Sequence, residues 1–299
     1  MVTQQGAAHP ADAVRSAPVP APSATPQHLR PIPRTGELLP VIGCGTYPAF
    51  DVPPHSAATR PLAQVLESLF AGGGRLIDTS PMYGLAETVV GELLAESPSP
   101  VKPFLATKVW TRGGKAGIAQ MQRSFDLLQT DCIDLLQVHN LLDHAQHLPT
   151  LRLWQQQGRI RYVGITHYTA GSYPQLESVL QSEAVDFLQI NYSIAERGAE
   201  QRLLPLAAER GVAVIVNRPF GGGNVLSMLR SRELPEFAAG LGCHNWAQLL
   251  LKFVIGHPAV TCAIPSTADP SHMLDNCAAG AGALPDEALR ERIAALLPG

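Results

Sequence analysis

Residues 72–93 read GGGRLIDTSPMYGLAETVVGEL and contain the short run Arg75–Thr79, with the apolar residues Leu76 and Ile77 at its centre. Runs of this length and character are typical of buried parallel strands, because helices cover the outer face of such a strand. Asp78 and Thr79 put polar side chains at the carboxyl end of the run. The stretch therefore predicts a strand whose last residues are available for chemistry.

The same pattern repeats along the chain from Leu39 onward. Short β-branched or apolar runs alternate with amphipathic helical stretches, which is the pattern of repeated βα units and a parallel sheet. Eight runs can be counted, and eight is the number that closes a barrel. The runs are Val41–Cys44, Arg75–Thr79, Pro103–Thr107, Ile133–His139, Ile160–Thr166, Phe187–Asn191, Val212–Val216 and Val260–Pro265. The sequence predicts an α/β fold, a (β/α)8 TIM barrel with eight parallel strands.

Helical periodicity fills the segments between the predicted strands. Three stripes of apolar residues recur at helical spacing and are predicted to pack on the barrel. They are Leu62, Val65, Leu66, Leu69 and Phe70; Ile118, Met121, Phe125 and Leu128; and Trp246, Leu249, Leu250, Phe253 and Val254. Gly171–Glu183 and Pro285–Leu297 are also predicted helical. No internal stretch is long and polar enough to divide residues 38–299 into two domains.

The first 37 residues differ from the rest of the chain. Ala, Pro, Ser, Thr and Gln dominate Gln4–Gln27, without helical or strand periodicity, so residues 1–37 are predicted to be a disordered Ala/Pro-rich leader before the barrel of residues 38–299. A secretory signal needs an apolar central run of about 7 to 15 residues. None is present, which favours a cytoplasmic protein. Export remains the alternative, because an Ala/Pro-rich start also resembles what is left after signal removal.

Composition excludes several classes of function. The net charge of −3 over 299 residues offers no broad basic surface for nucleic acid. The longest apolar runs, such as Val212–Val216, are far shorter than the roughly 20 residues that cross a bilayer. Five widely spaced cysteines include no CxxC pair, which favours reduced thiols. We therefore expect no nucleic-acid partner and no membrane segment, with the oligomeric state left open.

In an α/β barrel the functional residues lie at the carboxyl ends of the strands and in the loops that follow. Polar residues interrupt the apolar pattern at these positions. They are Asp78, Thr79, Lys108, His139, Asn140, Thr166, His167, Gln189, Asn191, Asn217, Arg218, Ser266 and Thr267.

Four residues near these strand ends fit one chemical task. Asp78 ends the second predicted strand, Tyr83 follows five residues later, and Lys108 and His139 end the third and fourth strands. A buried lysine and carboxylate at adjacent strand ends would pair, and the remaining positive field can lower the pKa of a neighbouring tyrosine. Such a tyrosine can give up a proton near neutral pH. A histidine beside it can orient a carbonyl oxygen.

These residues resemble the catalytic tetrad of the aldo-keto reductase family. Residues 72–93 are similar to the family signature, in which Asp and Tyr stand five apart. Further similar segments follow in the right order, and the resemblance covers Leu39–Asn276. They are FLATKVW with Lys108, IDLLQVHN with His139, GRIRYVGITHY, FLQINYS and AIPSTADPSHMLDN.

The resemblance implies an NAD(P)H-dependent oxidoreductase. Such an enzyme reduces an aldehyde or ketone to an alcohol, or catalyses the reverse, by hydride transfer. Tyr83 would be the general acid/base, Lys108 and Asp78 would tune it, and His139 would position the carbonyl. A substrate pocket lined by Tyr47, Trp110 and His139, with Phe220 and Tyr192 as further candidates, would suit an aromatic or aliphatic carbonyl compound.

The resemblance also implies a nicotinamide cofactor across the barrel mouth, without the GxGxxG loop of dinucleotide folds. The cofactor-binding positions are Gly45, Thr46, Tyr47, Asp78, Thr166, His167, Gln189, Asn217, Arg218, Pro219, Phe220, Gly221, Ser266, Thr267, His272, Asp275 and Asn276. Thr166, His167 and Gln189 would contact the carboxamide, with Thr and His in place of the usual Ser and Asn. The glycine-rich loop 220–224 would meet the pyrophosphate.

Two departures from the family pattern concern the cofactor. Asn217 stands where an aromatic ring often stacks on the nicotinamide, so Arg218 or Phe220 would have to take part of that role. Ser266 and His272 stand where NADPH-preferring members carry Lys and Arg, and the loss of two cations weakens the hold on a 2′-phosphate. NADP(H) is therefore expected to be favoured only modestly, with NAD(H) as the alternative.

Two other functions compete with this interpretation. A metal-dependent barrel hydrolase could draw on ten histidines, but none forms an HxH or HExxH cluster, and His144 and His147 are predicted to lie in a surface loop. We therefore expect no metal site. The second alternative is a non-catalytic nicotinamide-binding sensor or regulatory subunit on the same barrel.

Overall fold

Eight parallel strands curl into a barrel in chain order, with helical connections between them. The computed structural model describes residues 26–297. The barrel strands are β3 (Cys44–Gly45), β4 (Leu76–Asp78), β5 (Phe104–Val109), β6 (Ile133–His139), β7 (Ile160–Thr166), β8 (Phe187–Asn191), β9 (Ala213–Asn217) and β10 (Val260–Ala263). Parallel bridges from Ile42 to Ala263 and from Gly45 to Ser266 join the first and last strands. The predicted (β/α)8 barrel is confirmed.

Eleven α-helices occur in residues 26–297, most of them around the barrel. They are α1 (Arg60–Ala71), α2 (Ala86–Glu96), α3 (Gly114–Leu128), α4 (His144–Gln156), α5 (Tyr173–Ser182), α6 (Leu203–Glu209), α7 (Asn224–Leu229), α8 (Phe237–Gly240), α9 (Trp246–Ile255), α10 (Pro270–Ala279) and α11 (Glu287–Ala294). None of them has the length and apolar character that a membrane span requires. All five cysteines are unpaired.

Two helical predictions need correction. Ile118 is exposed, because the neighbouring Gly117 takes the inward position on α3. A Cβ at Gly117 would lie 2.4 Å from Cε1 of His147, so only a glycine lets this ring pack there. His144 and His147 belong to α4 and not to a surface loop. His147 is buried, and its Nε2 lies 2.8 Å from the carbonyl oxygen of Thr111.

The interior of the barrel changes from apolar to polar along the strands. Side chains alternate along a strand, so every second residue of a barrel strand points inward. The first inward residues, such as Leu76, Phe104 and Phe187, belong to one buried apolar cluster. Two residues further along their strands stand Asp78 and Gln189. The polar groups therefore lie at the carboxyl ends of the strands.

An N-terminal hairpin covers the opposite end of the barrel. Its strands, β1 (Leu29–Pro31) and β2 (Leu38–Pro40), pair in antiparallel register. Ile32 and Leu39 join the apolar cluster inside the barrel, beside residues such as Phe104 at the amino ends of the strands. The hairpin therefore closes this end.

The predicted leader boundary is wrong for residues 26–37. They belong to the hairpin, because burial of Ile32 and the ion pairs of Glu37 fix them on the barrel. The Glu37 carboxylate accepts from Arg75 Nη2 at 2.8 Å and from the Tyr162 hydroxyl at 2.7 Å. The remainder of the predicted leader, residues 1–25, lies outside the described residues.

Candidate active site

A buried ion pair lies at the carboxyl ends of β4 and β5. Lys108 Nζ donates to Asp78 Oδ2 at 2.6 Å and to the carbonyl oxygen of Thr79 at 2.7 Å. The side-chain amides of Gln137 and Gln189 donate to Asp78 Oδ1 at 3.2 and 2.7 Å. These bonds compensate for taking both charges out of water. Asp78 and Lys108 form the predicted pair.

The phenol of Tyr83 lies beside this pair, with Lys108 Nζ 4.8 Å from its ring centroid. Burial raises the pKa of Tyr83, and the opposing effect of Lys108 does not bring it back to its ordinary value. The expected lowering of this pKa is therefore wrong. Burial lowers the pKa of Lys108, but Asp78 and Tyr83 together raise it by more. The pKa of Lys108 therefore lies above its ordinary value, and the ammonium stays charged. Tyr83 keeps its proton at neutral pH.

The ring of His139 completes the predicted group of four. It meets the Tyr83 ring edge-on, with 5.9 Å between the ring centroids. Its Nδ1 lies 3.1 Å from Ser80 Oγ. Burial, followed by the positive charge of Lys108, lowers the pKa of His139 to about 2. His139 is therefore a neutral imidazole in the folded protein.

The buried His139 should make the fold acid-sensitive. Its pKa is about 2 in the folded protein against an ordinary 6.5, so the unfolded chain takes up a proton that the folded protein refuses, and stability falls as pH drops below the ordinary value. Between about pH 7 and about pH 5 this one group should remove about 2 kcal/mol. Over the same pH interval the free energy of unfolding of the His139→Gln variant, measured by urea unfolding, should fall by about 2 kcal/mol less than that of wild type. The control is His244→Gln, because the His244 ring is exposed. An equal pH dependence in wild type and His139→Gln would contradict this account.

A chain of hydrogen bonds leads from Thr166 through Gln189 to Asp78. A carboxylate only accepts, so Gln189 must point Nε2 at Asp78 and Oε1 at Thr166 Oγ1, which lies 3.1 Å away. Thr166 therefore donates its hydroxyl proton to Gln189. Both residues keep acceptor lone pairs, which suit the NH2 group of an amide.

Further acceptor oxygens in this part of the barrel lack a donor within residues 26–297. Each is the side-chain amide oxygen of a residue on a strand or directly after it: Gln137, Asn140, Asn191 and Asn217. Buried acceptors left without a donor cost free energy, so such groups are usually paired with a ligand or with water. The barrel mouth therefore offers acceptor atoms to a ligand or to water molecules that donate hydrogen bonds.

The ring of His167, which is predicted to contact the carboxamide, has its hydrogen-bond partners within its own loop. Its Nδ1 accepts from the backbone amides of Tyr168 and Thr169 at 3.0 and 3.3 Å, and its Nε2 lies 2.9 Å from Ser172 Oγ. Both ring nitrogens are therefore engaged within their own loop. Only the His167 carbonyl oxygen turns toward the next strands, where it accepts from Asn217 Nδ2 at 3.2 Å.

The loop after β9 carries the next group of predicted residues. Pro219 is buried, whereas Phe220 is partly buried, with part of its ring packed against the hydrophobic core. Arg218 is exposed, and its Cζ lies 6.0 Å from the ring centroid of Tyr168. Gly221–Gly223 form a 3-10 turn with positive φ throughout. The exposed aromatic ring beside Arg218 is that of Tyr168, which the sequence did not indicate.

The predicted adenosine-end residues separate into two groups. Ser266 and His272 are exposed around the start of α10, and Thr267 Oγ1 accepts from the Asp269 backbone amide at 3.0 Å. Asp269 caps α10 and lies 4.0 Å from the His272 ring. The other two residues face inward. Asp275 accepts from Asn245 Nδ2 at 3.1 Å, and Asn276 is buried.

The loop after β3 lies next to the ion pair. Thr46 Oγ1 donates to the carbonyl oxygen of Asp78 at 3.0 Å. A Cβ at Gly45 would lie 2.8 Å from the carbonyl oxygen of Ile264, so the close approach of β10 requires glycine there. The exposed Tyr47 ring is 5.1 Å from that of Tyr83. Tyr47, Tyr83 and His139 therefore form a continuous row of rings.

Of the other predicted pocket residues, Trp110 follows β5 and is exposed, whereas Tyr192 is fully buried. The Tyr192 hydroxyl donates to Glu200 and lies against Arg290, in an ion network that ties α11 to the barrel. Tyr192 is therefore a structural residue and does not line the mouth.

Sequence reasoning missed Gln137 and Ser80. Gln137 is two residues before His139, so strand alternation places both on the inner face of β6. That period of two was the signal that could have found Gln137. Ser80 carries no such signal, because it lies in the turn after β4.

Comparison with known proteins adds independent findings. The family model for the Aldo/keto reductase family matches residues 41–296. The chain is 31% identical over 251 residues to methylglyoxal reductase YeaE of Escherichia coli, covering 80% of this chain and 85% of the relative. It is 28% identical over 191 residues to an NADH-specific methylglyoxal reductase of the same organism, covering 54% of this chain and 57% of the relative.

A solved structure has the same architecture. An aldo/keto reductase from Klebsiella pneumoniae, in complex with NADP and acetate, superposes with a TM-score of 0.74 at 27% identity. The match covers 88% of this chain and 93% of that protein. The similarity therefore spans the whole barrel.

Proposed function

This chain belongs to the aldo/keto reductase family, and from that premise we propose that it is an NAD(P)H-dependent oxidoreductase. It reduces an aldehyde or ketone to an alcohol, or catalyses the reverse, with Tyr83 as the general acid/base. The observation that carries this proposal is the buried contact of Asp78, Lys108, Tyr83 and His139 at the barrel mouth.

The proposed chemistry needs a proton donor beside a polarised carbonyl group. When bound, the nicotinamide cofactor would supply the hydride that the carbonyl carbon receives. Tyr83 holds its proton at the hydroxyl and delivers it to the carbonyl oxygen as negative charge develops there. Lys108 stabilises the resulting phenolate, since its ammonium lies against the same ring. His139, being neutral, orients the carbonyl by a hydrogen bond without contributing a charge.

The acceptor atoms at the mouth fit the nicotinamide end of the cofactor. Thr166 and Gln189 would accept from the carboxamide NH2, because the Thr166 hydroxyl proton is already donated to Gln189 and Gln189 points its amide nitrogen at Asp78. Asn217 would face the same region through its unpaired Oδ1. Gly221 and the glycines after it would let the backbone approach the pyrophosphate.

We propose NADP(H) as the favoured cofactor by a modest margin, with NAD(H) as the alternative. NADP is present in the Klebsiella pneumoniae structure, whereas one E. coli relative is NADH-specific. Ser266 and His272 supply no permanent cation for a 2′-phosphate, and the Asp269 carboxylate lies close to His272. These features keep the margin small.

The substrate would be a carbonyl compound that reaches Tyr83 past an apolar rim. Tyr47, Met82, Trp110 and Tyr168 are exposed large side chains in loops that follow barrel strands. Such a rim can hold an aromatic or aliphatic group by apolar contact. The relatives named methylglyoxal reductases support a small aldehyde as a further test compound.

The direct test is a fluorescence titration with NADPH and NADH, followed by 4-nitrobenzaldehyde or methylglyoxal. We expect both cofactors to bind, NADPH more tightly by less than about tenfold, which is about 1.4 kcal/mol. The aldehyde should then consume the reduced cofactor. Thr166→Val should weaken both cofactors equally, because it removes acceptor lone pairs that the carboxamide uses in either. Tighter binding of NADH by about tenfold or more would reverse the cofactor order.

A sensor or regulatory subunit is the second candidate. The observations in its favour are Asn217 in place of a stacking ring and the engagement of the His167 ring within its own loop. Cofactor binding without oxidation by any aldehyde would support this candidate. Consumption of NADPH by either aldehyde would exclude it.

A further inference from the structure

Ser80 lies in the turn between β4 and Tyr83 and contacts the one ring nitrogen of His139 that has a protein partner. Its side chain is fully buried. Ser80 Oγ accepts from the Met82 backbone amide at 3.3 Å and lies 3.1 Å from His139 Nδ1. Within residues 26–297 Ser80 Oγ has no third hydrogen-bond partner, and His139 Nε2 has no partner.

The proton count of these two contacts selects one arrangement. A serine hydroxyl has one proton to donate and two lone pairs that accept. If His139 Nδ1 carried the imidazole proton, Ser80 would accept twice and its own proton would be buried without an acceptor. Leaving a buried donor unpaired costs about 1–3 kcal/mol. If instead Ser80 donates to Nδ1, the Ser80 hydroxyl proton has an acceptor, and the imidazole proton is on Nε2.

We propose that Ser80 is a positioning residue for carbonyl reduction: it donates to His139 Nδ1, and this bond holds the imidazole proton on Nε2, the nitrogen left free to donate to the substrate oxygen. The inference rests on the proposed function for its role in the reaction. Its structural part, the position of the proton on His139, is independent of any activity. Because the ring is neutral, the two tautomers differ only in which nitrogen can donate.

The first experiment locates the proton on His139. A long-range proton–nitrogen NMR spectrum of the full-length 15N-labelled protein distinguishes the two tautomers, and the His139 signals are those absent from His139→Gln. We expect the proton on Nε2 and an Nδ1 resonance shifted by an accepted hydrogen bond. A proton on Nδ1 overturns the proposal. This spectrum remains decisive if no carbonyl compound is reduced, so failure of the proposed function and failure of this inference are distinguishable.

The second experiment removes the donor. In Ser80→Ala the Nδ1 resonance should move to the position of a nitrogen without a hydrogen bond, and kcat should fall about tenfold because Nε2 is no longer held in place. The dissociation constant of NADPH should stay within about twofold of the wild-type value. Ser80→Thr, which keeps the hydroxyl, should restore both the Nδ1 resonance and kcat. Ser68→Ala is the matched control, since Ser68 is also buried but its Oγ has no partner in the described chain.

The turn supplies a competing explanation that these measurements separate. Ser80 also accepts from Met82 and, through its carbonyl oxygen, from the Tyr83 backbone amide at 3.0 Å. If Ser80 acted only by holding this turn, Ser80→Ala would lower kcat and leave the Nδ1 resonance unchanged. That result overturns the proposal, as does an Ser80→Ala protein that matches wild type in both measurements.

Discussion

Tyr83→Phe is expected to lower kcat for aldehyde reduction by about 10²- to 10⁴-fold, because it removes the proton that the carbonyl oxygen must receive. The ring, its contact with Lys108 Nζ and its edge-on packing against His139 all remain. The dissociation constant of NADPH should therefore stay within about twofold, and the free energy of unfolding within about 1 kcal/mol. Stopped-flow measurement of NADPH oxidation, with fluorescence titration of the cofactor, gives both quantities.

Tyr162→Phe is the matched control for this substitution. Tyr162 lies at the closed end of the barrel, where its hydroxyl bonds Glu37, so its loss should affect stability and not kcat. The rate for wild type should also be level through neutral pH and fall only at alkaline pH, because the raised pKa of Tyr83 keeps the proton in place. A Tyr83→Phe enzyme with normal turnover would falsify the assigned role.

Lys108→Met is expected to reduce both activity and stability. It leaves the Asp78 carboxylate buried without its cation, and breaking a buried pair from one side costs about 3–5 kcal/mol. Asp78 is almost fully buried, so water cannot compensate for the missing ammonium. Urea unfolding should show this loss directly, and turnover should fall because Tyr83 no longer has a positive charge beside its ring.

The double variant Asp78→Asn, Lys108→Met separates the two effects. With both charges removed, no unpaired ion is buried, so more than half of the lost stability should return. Turnover should not return, because Tyr83 still lacks its neighbouring charge. Additive losses of stability in the double variant would show that Asp78 and Lys108 do not act as a pair.

The barrel and its four central residues could be predicted because they produce regular signals. Buried parallel strands read as apolar runs, and the strand ends are marked where Asp78, Lys108 and His139 interrupt those runs. Three of the eight predicted strands, 133–139, 160–166 and 187–191, have the predicted bounds. The family resemblance added the role of Tyr83, which no strand pattern could supply.

The remaining features depend on contacts between distant segments. The hairpin has short strands with proline at their ends, and only its contacts inside the barrel make it ordered. The engagement of His167 depends on Ser172, and the burial of Tyr192 depends on Arg290 near the end of the chain. Periodicity within one segment contains no information about such partners.

The pKa of Tyr83 shows the same limit in electrostatics. The sequence correctly indicates a lysine and an aspartate next to the tyrosine, and from these alone a lowered pKa follows. The structure adds burial of the phenol, which is the larger effect and raises the pKa. The sign of such a shift depends on solvent access, which is set by the folded barrel.

The hairpin that closes one end of the barrel affects how ligands bind and dissociate. Ile32 and Leu39 fill the space at the amino ends of the strands, so within residues 26–297 the approach to the polar groups around Asp78 is from the carboxyl ends of the strands. Substrate, product and cofactor would therefore all bind and dissociate through the barrel mouth. A molecule bound next to Asp78 cannot dissociate while another molecule covers the rim. An inhibitor bound against Tyr47 and Trp110 would therefore slow the dissociation of that bound molecule as well as block the binding of a new one.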